Sequence, residues 1–287
     1  MSERIDLHMH TTLSDGSDSP EEIVARVRDA GITVFSVTDH DAIKGGQAVR
    51  DCLREGDPAF IRGVEFSCKD DRGQYHILGY AYDPAAKAIQ GVVDRGHSLR
   101  MKKVKARLDF IKNRFGFDFP RAEIDKLLSM DNPGKPHIGN LMVKYGYVSS
   151  KEIAIREYID RLRFRSEYVG PEEAIVGILN SGGIPVLAHP FFGSGGQLIV
   201  GEEMDKRLKR LMGYGLQGVE AYYSGFSPML TEEMLGLAVR YGLFVTACSD
   251  YHGANKLIAL GDTGMKDGAP MVAGMKRFLS AAREARA

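Results

Sequence analysis

The chain contains no tryptophan and only three cysteines among its 287 residues. Cys52, Cys68 and Cys248 are odd in number and share no CxxC spacing, so they build neither a disulfide framework nor a thiolate zinc knuckle. Such usage suits a reducing cytosol. An excess of either charge is absent as well: 38 Lys and Arg stand against 38 Asp and Glu. A net charge near zero exerts no global pull toward nucleic acid or a membrane surface, so a nucleic-acid substrate would need a local basic patch. No apolar run approaches the ~20 residues that span a bilayer, and no targeting segment is expected before the first strand. The expectation is a cytoplasmic protein with no membrane partner. Repeats and low-complexity tracts are also missing. What remains is an ordinary globular composition, 44% apolar and 26% charged, long enough for one α/β barrel or one domain with an insertion.

What is present begins at Ile5-Asp6-Leu7-His8-Met9-His10. Read as a strand, this segment points Ile5, Leu7 and Met9 one way and Asp6, His8 and His10 the other. Two imidazoles two residues apart project from one face, where a single ion can take both. After the loop Thr11 to Gly16, Ser19-Pro20-Glu21-Glu22 starts a helix, with Ser as N-cap, Pro at the first position and acids in the first turn. Val34 to Val37 forms a strand ending in Thr38-Asp39-His40. A third strand, Ala59 to Ser67, carries Glu65. Asp70-Asp71-Arg72-Gly73 reads as a hairpin turn into a fourth, Tyr75 to Tyr82, with His76 near its start.

From 84 to 168 the character changes. The run Arg100 to Leu108 is basic and helical in period, no clear strands follow, and a basic helix of this kind reads as a solvated face. Strand–helix alternation then resumes, with strands at Ile184 to His189, Gly218 to Tyr223 and Leu243 to Ser249. Seven strands with mostly helical crossovers argue for a closed α/β barrel. Residues 1–83 and 169–287 would form that barrel, and 84–168 a helical insertion over its pocket.

The polar clusters all fall at one place in this scheme. His8, His10, His40, Glu65, His189, Asp250 and His252 end parallel strands or follow them, and Asp15 lies in the first such loop. His76 starts a strand that the hairpin makes antiparallel, which brings it to the same rim. In parallel α/β barrels that rim holds the active site. Nine potential ligands exceed the needs of one ion, so a cluster of two or three divalent ions is implied. Imidazole and carboxylate without thiolate suit Mn²⁺, Fe²⁺ or Zn²⁺.

With these motifs in family order (Asp6-Leu7-His8-Met9-His10, Thr38-Asp39-His40, Gly63-Val64-Glu65, Ala188-His189-Pro190 and Ser249-Asp250-Tyr251-His252), the sequence resembles the PHP (polymerase and histidinol phosphatase) superfamily of metal-dependent phosphoesterases. It looks most like the branch of stand-alone enzymes acting on nucleotides and small phosphate esters. The resemblance implies a distorted seven-stranded (β/α)7 barrel. It also implies that His8, His10, Glu65 and Asp250 hold a first ion and that Glu65 bridges to a second held with His76 and His189. Asp15, His40 and His252 would hold a third. A hydroxide bridging two ions would then attack phosphorus, with Glu65 and Asp250 as catalytic residues. Lys135 and His137, in the insertion segment Lys135-Pro136-His137-Ile138, would contact substrate phosphate, and His137 would protonate the leaving group.

Two departures from the family pattern bear on substrate. Relatives often carry Arg where Lys135 stands, and glycine and arginine where this chain has Phe191-Phe192 after the His-Pro step. Lysine is a point charge rather than a bidentate fork. The expected substrate is a small nucleotide or sugar phosphate, either a monoester or a cyclic phosphodiester. The alternative is the 5′ end of a short RNA or DNA, and the rival from another class is a non-catalytic PHP binding module. Asp6 and Asp39 stand beside ligands and are candidates for orienting imidazoles. Glu220, Tyr222 and Tyr223 end a strand and are candidates for the pocket wall. Gly193-Ser194-Gly195-Gly196 lacks the Lys-Ser/Thr of a P-loop and reads as a flexible rim loop.

Overall fold

A computed structural model describes residues 3–284, except 131, 165–166, 194–196 and 267. The expected rim loop at 194–196 therefore lies outside the described residues. The elements in chain order are β1 (Ile5–Asp6), α1 (Pro20–Asp29), β2 (Val34–Phe35), α2 (Lys44–Cys52), β3 (Ala59–Phe60), β4 (Gly63–Asp70) and β5 (Gly73–Tyr80). Then come α3 (Lys87–Phe115), α4 (Arg121–Leu128), α5 (Lys135–Lys144) and α6 (Lys151–Ile153), which continues as one π and one 3₁₀ turn to Arg161. The last stretch is α7 (Pro171–Leu179), β6 (Ile184–Leu187), α8 (Gly201–Gly213), β7 (Gly218–Tyr223), α9 (Pro228–Tyr241), β8 (Phe244–Cys248) and α10 (Ala273–Glu284).

The fold is mixed α/β with a parallel sheet β1-β2-β3 and a five-stranded sheet β4-β5-β6-β7-β8. The strand expected at Ala59 to Ser67 is in fact two, β3 and β4, so the described strands number eight rather than seven. The break has a local cause. At Gly63 the chain passes so close beneath β2's extension that a Cβ would stand 2.9 Å from the Val37 carbonyl oxygen. Ile61 donates to Phe35 and the Arg62 carbonyl accepts from Ala81, so the chain gains β5 as a second partner there while staying bonded to the end of β2.

Both edges of the five-stranded sheet are hydrogen-bonded to the three-stranded one. Leu7 donates to the Ala247 carbonyl at 2.9 Å and Asp250 to that of His8 at 2.9 Å, tying β1 to β8. Asp41 donates to the Glu65 carbonyl at 2.8 Å, tying the end of β2 to β4. The hairpin is as expected: β4 and β5 pair antiparallel, with Ser67 opposite His76.

Ser19 caps α1 through a capping box, its hydroxyl accepting from Glu22 N–H while the Glu22 carboxylate accepts from Ser19 N–H. Such a box satisfies two otherwise orphaned donors. Apolar residues from all five strands of the large sheet share one core with α7–α10, a second cluster forms around Met9, Ile23, Phe35 and Phe60, and a third lies wholly within α3–α6 and the turns after them. No helix among the described residues is long and apolar enough to cross a membrane.

Candidate metal centre

Of the strand expected at Ile5 to His10, only Ile5–Asp6 is regular strand, with an isolated bridge at Met9, and the segment is buried on both sides. Ile5, Leu7 and Met9 enter the hydrophobic clusters, while Asp6, His8 and His10 face the other way and are also fully buried. A buried imidazole pair must be satisfied by partners, and the partners are the residues expected at the rim. The structure brings all nine together.

Glu65 lies at the middle, its side chain 1% exposed. Its Oε2 is 3.2 Å from His8 Nε2, 3.3 Å from His10 Nε2 and 3.1 Å from His40 Nδ1. Its Oε1 is 2.8 Å from His76 Nδ1 and 3.3 Å from His189 Nε2. One carboxylate thus divides its two oxygens between two groups of imidazoles. Asp250 Oδ1 stands 3.6 Å from His8 Nε2 and 3.4 Å from His10 Nε2. Asp15 Oδ1 stands 3.3 Å from His252 Nε2 and 3.7 Å from His10 Nδ1, with Oδ2 3.9 Å from His40 Nε2.

Three observations show that this donor set fits cations. Donor atoms of His10, Asp15, His40 and His252 all lie within 4.8 Å of one another, and so do those of His8, His10 and Glu65, and of His40, Glu65 and His76. His8 Nε2 and His10 Nε2 face each other at 3.1 Å, an arrangement that leaves lone pairs converging. His40 Nδ1 is buried and makes no hydrogen bond. The electrostatics agree. Burial disfavours a charged His10, yet Asp250 and Glu65 outweigh it and push its pKa up to about 9. Burial raises the Glu65 carboxyl, yet His76, His8 and His40 hold it well below the carboxylate range.

A second set of side chains orients the first. Glu220, completely buried, accepts from His8 Nδ1–H at 2.7 Å through one oxygen and from the His189 backbone N–H at 2.6 Å through the other. That fixes the His8 tautomer with its Nε2 lone pair toward Glu65. His10 Nδ1 lies 3.3 Å from Ser14 Oγ, which donates to Asp39 at 2.6 Å, so Asp39 acts on His10 through a hydroxyl. Asp6 touches no imidazole ring. It accepts from Ser249 Oγ at 2.6 Å and from the backbone N–H of Gly261 at 2.8 Å, fastening the loop after β8.

Sequence reasoning missed Lys256, whose ammonium sits 2.6 Å from Asp250 Oδ2, where the Tyr223 hydroxyl also donates at 3.0 Å. No spacing rule points to that lysine. Backbone strain collects here too. Of the four described non-glycine residues with positive φ, Asp41 (49°), His189 (27°) and Asp250 (58°) are at or beside this rim. Such conformations cost free energy and concentrate at functional sites.

The insertion residues have partners of their own. Lys135 pairs with Asp160 at 2.8 Å. His137 Nδ1 accepts from Gly134 N–H at 3.0 Å, which leaves a neutral ring's proton on Nε2. The basic run is only in part a solvated face: Lys102 and Lys105 are exposed, whereas Lys103 and Arg107 are each only 7% exposed. The Lys103 ammonium lies 3.6 Å from the Tyr168 ring centroid and the Arg107 guanidinium 5.1 Å from that of Phe164. Cation–π contacts of this kind offset part of the desolvation. Arg100 pairs with Asp41 and donates to Ser67 Oγ at 3.2 Å. Lys69, Arg107, Lys135 and Arg163 line a cavity of about 590 Å³ on this flank.

Lys103 carries a consequence for stability. Burial, helped by Arg100, lowers its pKa from 10.5 to about 7. Between those values the unfolded chain binds the extra proton, so this residue makes stability rise with pH across that window. Below about 7 its cost is fully present. Lys103→Met is expected to stabilise the protein at neutral pH by about 2 kcal/mol, or roughly 4–8 °C in Tm, an advantage that fades in alkaline buffer. Melting curves across pH check this; a variant less stable than wild type at neutral pH contradicts it.

Residues 6–162 match the profile of the PHP domain. The chain belongs to the PHP domain family. Among relatives of this PHP protein is a 3′,5′-nucleoside bisphosphate phosphatase of Chromobacterium violaceum, 28% identical over 259 residues that cover 86% of this chain and 87% of that one. A phosphoribosyl 1,2-cyclic phosphate 1,2-diphosphodiesterase of Eggerthella lenta is also 28% identical, over 86% of this chain and 94% of its own. A 5′-3′ exoribonuclease of Haemophilus influenzae is 26% identical, over 91% and 94%. A solved structure from Bifidobacterium adolescentis, provisionally named a metal-dependent phosphoesterase, superposes with a TM-score of 0.82 over 98% of this chain and 97% of that one at 23% identity. That likeness speaks to the fold.

Proposed function

We propose that this PHP protein is a metal-dependent phosphoesterase hydrolysing a small phosphorylated substrate, a nucleotide or sugar phosphate. The observation that carries the reading is Glu65, one carboxylate shared between the His8, His10 and His40 nitrogens on one oxygen and those of His76 and His189 on the other. His8, His10, Glu65 and Asp250 would hold one ion, Glu65, His76 and His189 a second, and Asp15, His40 and His252 a third. Bound divalent ions would activate water and neutralise the phosphate oxygens. Manganese, iron and zinc all accept this donor set.

The chain's own residues prepare that chemistry. Glu220 presents the His8 lone pair to the centre. Lys256 and Tyr223 occupy the outer oxygen of Asp250, so that Oδ1 alone is turned toward His8 and His10. The seam bonds at both sheet edges support a distorted (β/α)7 barrel for 1–83 and 169–287, with β3 and β4 acting as one broken stave. The separate apolar cluster of α3–α6 supports 84–168 as a cap. Lys135 and His137 remain the candidates for substrate contact, with His137 Nε2–H available to the leaving group. Three unpaired cysteines support a cytoplasmic location.

A second reading, the 5′ end of a short oligonucleotide, is favoured by the basic flank. Ser67 and Lys69 follow Glu65 on the same face of β4, so Arg100, Lys69, Arg107 and Lys135 lead away from the centre as successive phosphates would. The test is a phosphate-release screen with Mn²⁺ over phosphate monoesters, cyclic phosphodiesters and 5′-phosphorylated oligonucleotides. Chelator-sensitive release from a small ester is expected. Release from oligonucleotides alone would select the second reading, and release from none would leave a binding module.

A further inference from the structure

The other flank of the centre is aromatic. Tyr223 joins it to the rim: its hydroxyl donates to Asp250 Oδ2 at 3.0 Å, and its ring centroid is 5.7 Å from that of His189. Beyond it stands Phe192, 5.9 Å from Tyr223 and 5.6 Å from Phe226, with Tyr223 and Phe226 themselves 5.1 Å apart. The three rings close into a triangle, backed by the fully buried Phe191 at 5.1 Å from Phe226. The packing admits nothing between them. At Gly225 a Cβ would meet the Tyr223 ring at 2.8 Å and the Phe192 ring at 3.3 Å.

Phe192 is therefore held from behind, yet 37% of it is exposed. A ring so braced cannot fold into the core, and no contact among the described residues covers its free surface. Tyr223 stands between it and the imidazole cluster, 5.9 Å from Phe192 and 5.7 Å from His189. Flat, apolar and rigid, Phe192 suits another flat ring.

We infer that Phe192 is a platform for a nucleobase, so that the substrate at this rim is a nucleotide rather than a base-free sugar phosphate; the inference rests on the phosphoesterase reading above. The phosphate sits at the imidazole and carboxylate cluster, the ribose passes Tyr223, and the base lies on Phe192. Base–aromatic stacking tolerates any base because each has a π-face, so discrimination falls between nucleotide and sugar rather than among bases.

The absence of tryptophan from the chain makes a direct test available. Phe192→Trp places a single tryptophan at the platform, and Val239→Trp, on an 84% exposed position of α9, supplies the control. Both proteins, reconstituted with Zn²⁺, are titrated with adenosine 5′-phosphate and with ribose 5-phosphate while tryptophan fluorescence is followed. Saturable quenching of Phe192→Trp by the nucleotide alone, with Val239→Trp silent, is the expected result. In parallel, Phe192→Ala should raise KM for a nucleotide substrate by about five- to a hundredfold and leave KM for a ribose phosphate unchanged, with kcat held. No quenching of Phe192→Trp, equal responses from the two tryptophans, or equal KM changes for both substrate classes would overturn the platform. If wild type hydrolyses neither class, the small-substrate phosphoesterase reading fails, while the fluorescence titration still decides the platform.

Discussion

Glu65→Gln is expected to lower kcat by roughly a thousandfold or more, about 4 kcal/mol of transition-state stabilisation, and to do so in a protein that remains folded. The carboxylate is 1% exposed, and its oxygens lie within 3.3 Å of five imidazole nitrogens. An amide supplies one neutral acceptor and a pair of N–H donors, so one of the two imidazole groups loses its anionic partner. Shape and volume are conserved, which keeps the β4–β5 pairing and the core beneath it intact. Turnover with saturating Mn²⁺, alongside a circular dichroism melt, is the check. A variant with half of wild-type kcat would mean that Glu65 does not link the two groups.

Glu220→Gln should weaken metal affinity by about ten- to a hundredfold, as much as Glu220→Ala does. Both Glu220 oxygens accept: one takes His8 Nδ1–H at 2.7 Å and the other the His189 N–H at 2.6 Å. Glutamine must turn its amide nitrogen toward one of these donors, setting N–H against N–H in a fully buried place. Either His8 loses the tautomer that aims its Nε2 lone pair at Glu65, or the strained His189 backbone loses its anchor. Leaving a buried donor unpaired is the costly outcome. Competition against a chromogenic chelator measures the affinity, and a glutamine variant matching wild type would show that Glu220 is only packing.

The placement of the nine rim residues was readable in the sequence because their signal is local. His8 and His10 alternate along one extended segment, and Asp250 with His252 follows a strand at the same short spacing. Strand direction then decides the end at which each emerges, and even His76 obeys once the Asp70–Gly73 turn is recognised. The basic helix defeated the same reasoning. Lys103 and Arg107 look solvated by period, but Tyr168 and Phe164, some 60 positions downstream, cover them. No local pattern encodes that meeting, and the cost of desolvating the lysine shows only in its lowered pKa. Lys256 escaped although it stands only six positions after Asp250, because no spacing rule marks a lysine that reaches back to a carboxylate. The break between β3 and β4 did leave a trace in Gly63, whose missing side chain permits the close pass under Val37.

Wild-type protein stripped with chelator, reconstituted with Mn²⁺, Fe²⁺ or Zn²⁺ and freed of unbound metal should contain two to three ions per chain by elemental analysis. That count tests most directly whether the converging imidazoles and carboxylates form a polynuclear metal centre. Fewer than one ion per chain with all three metals would contradict the account.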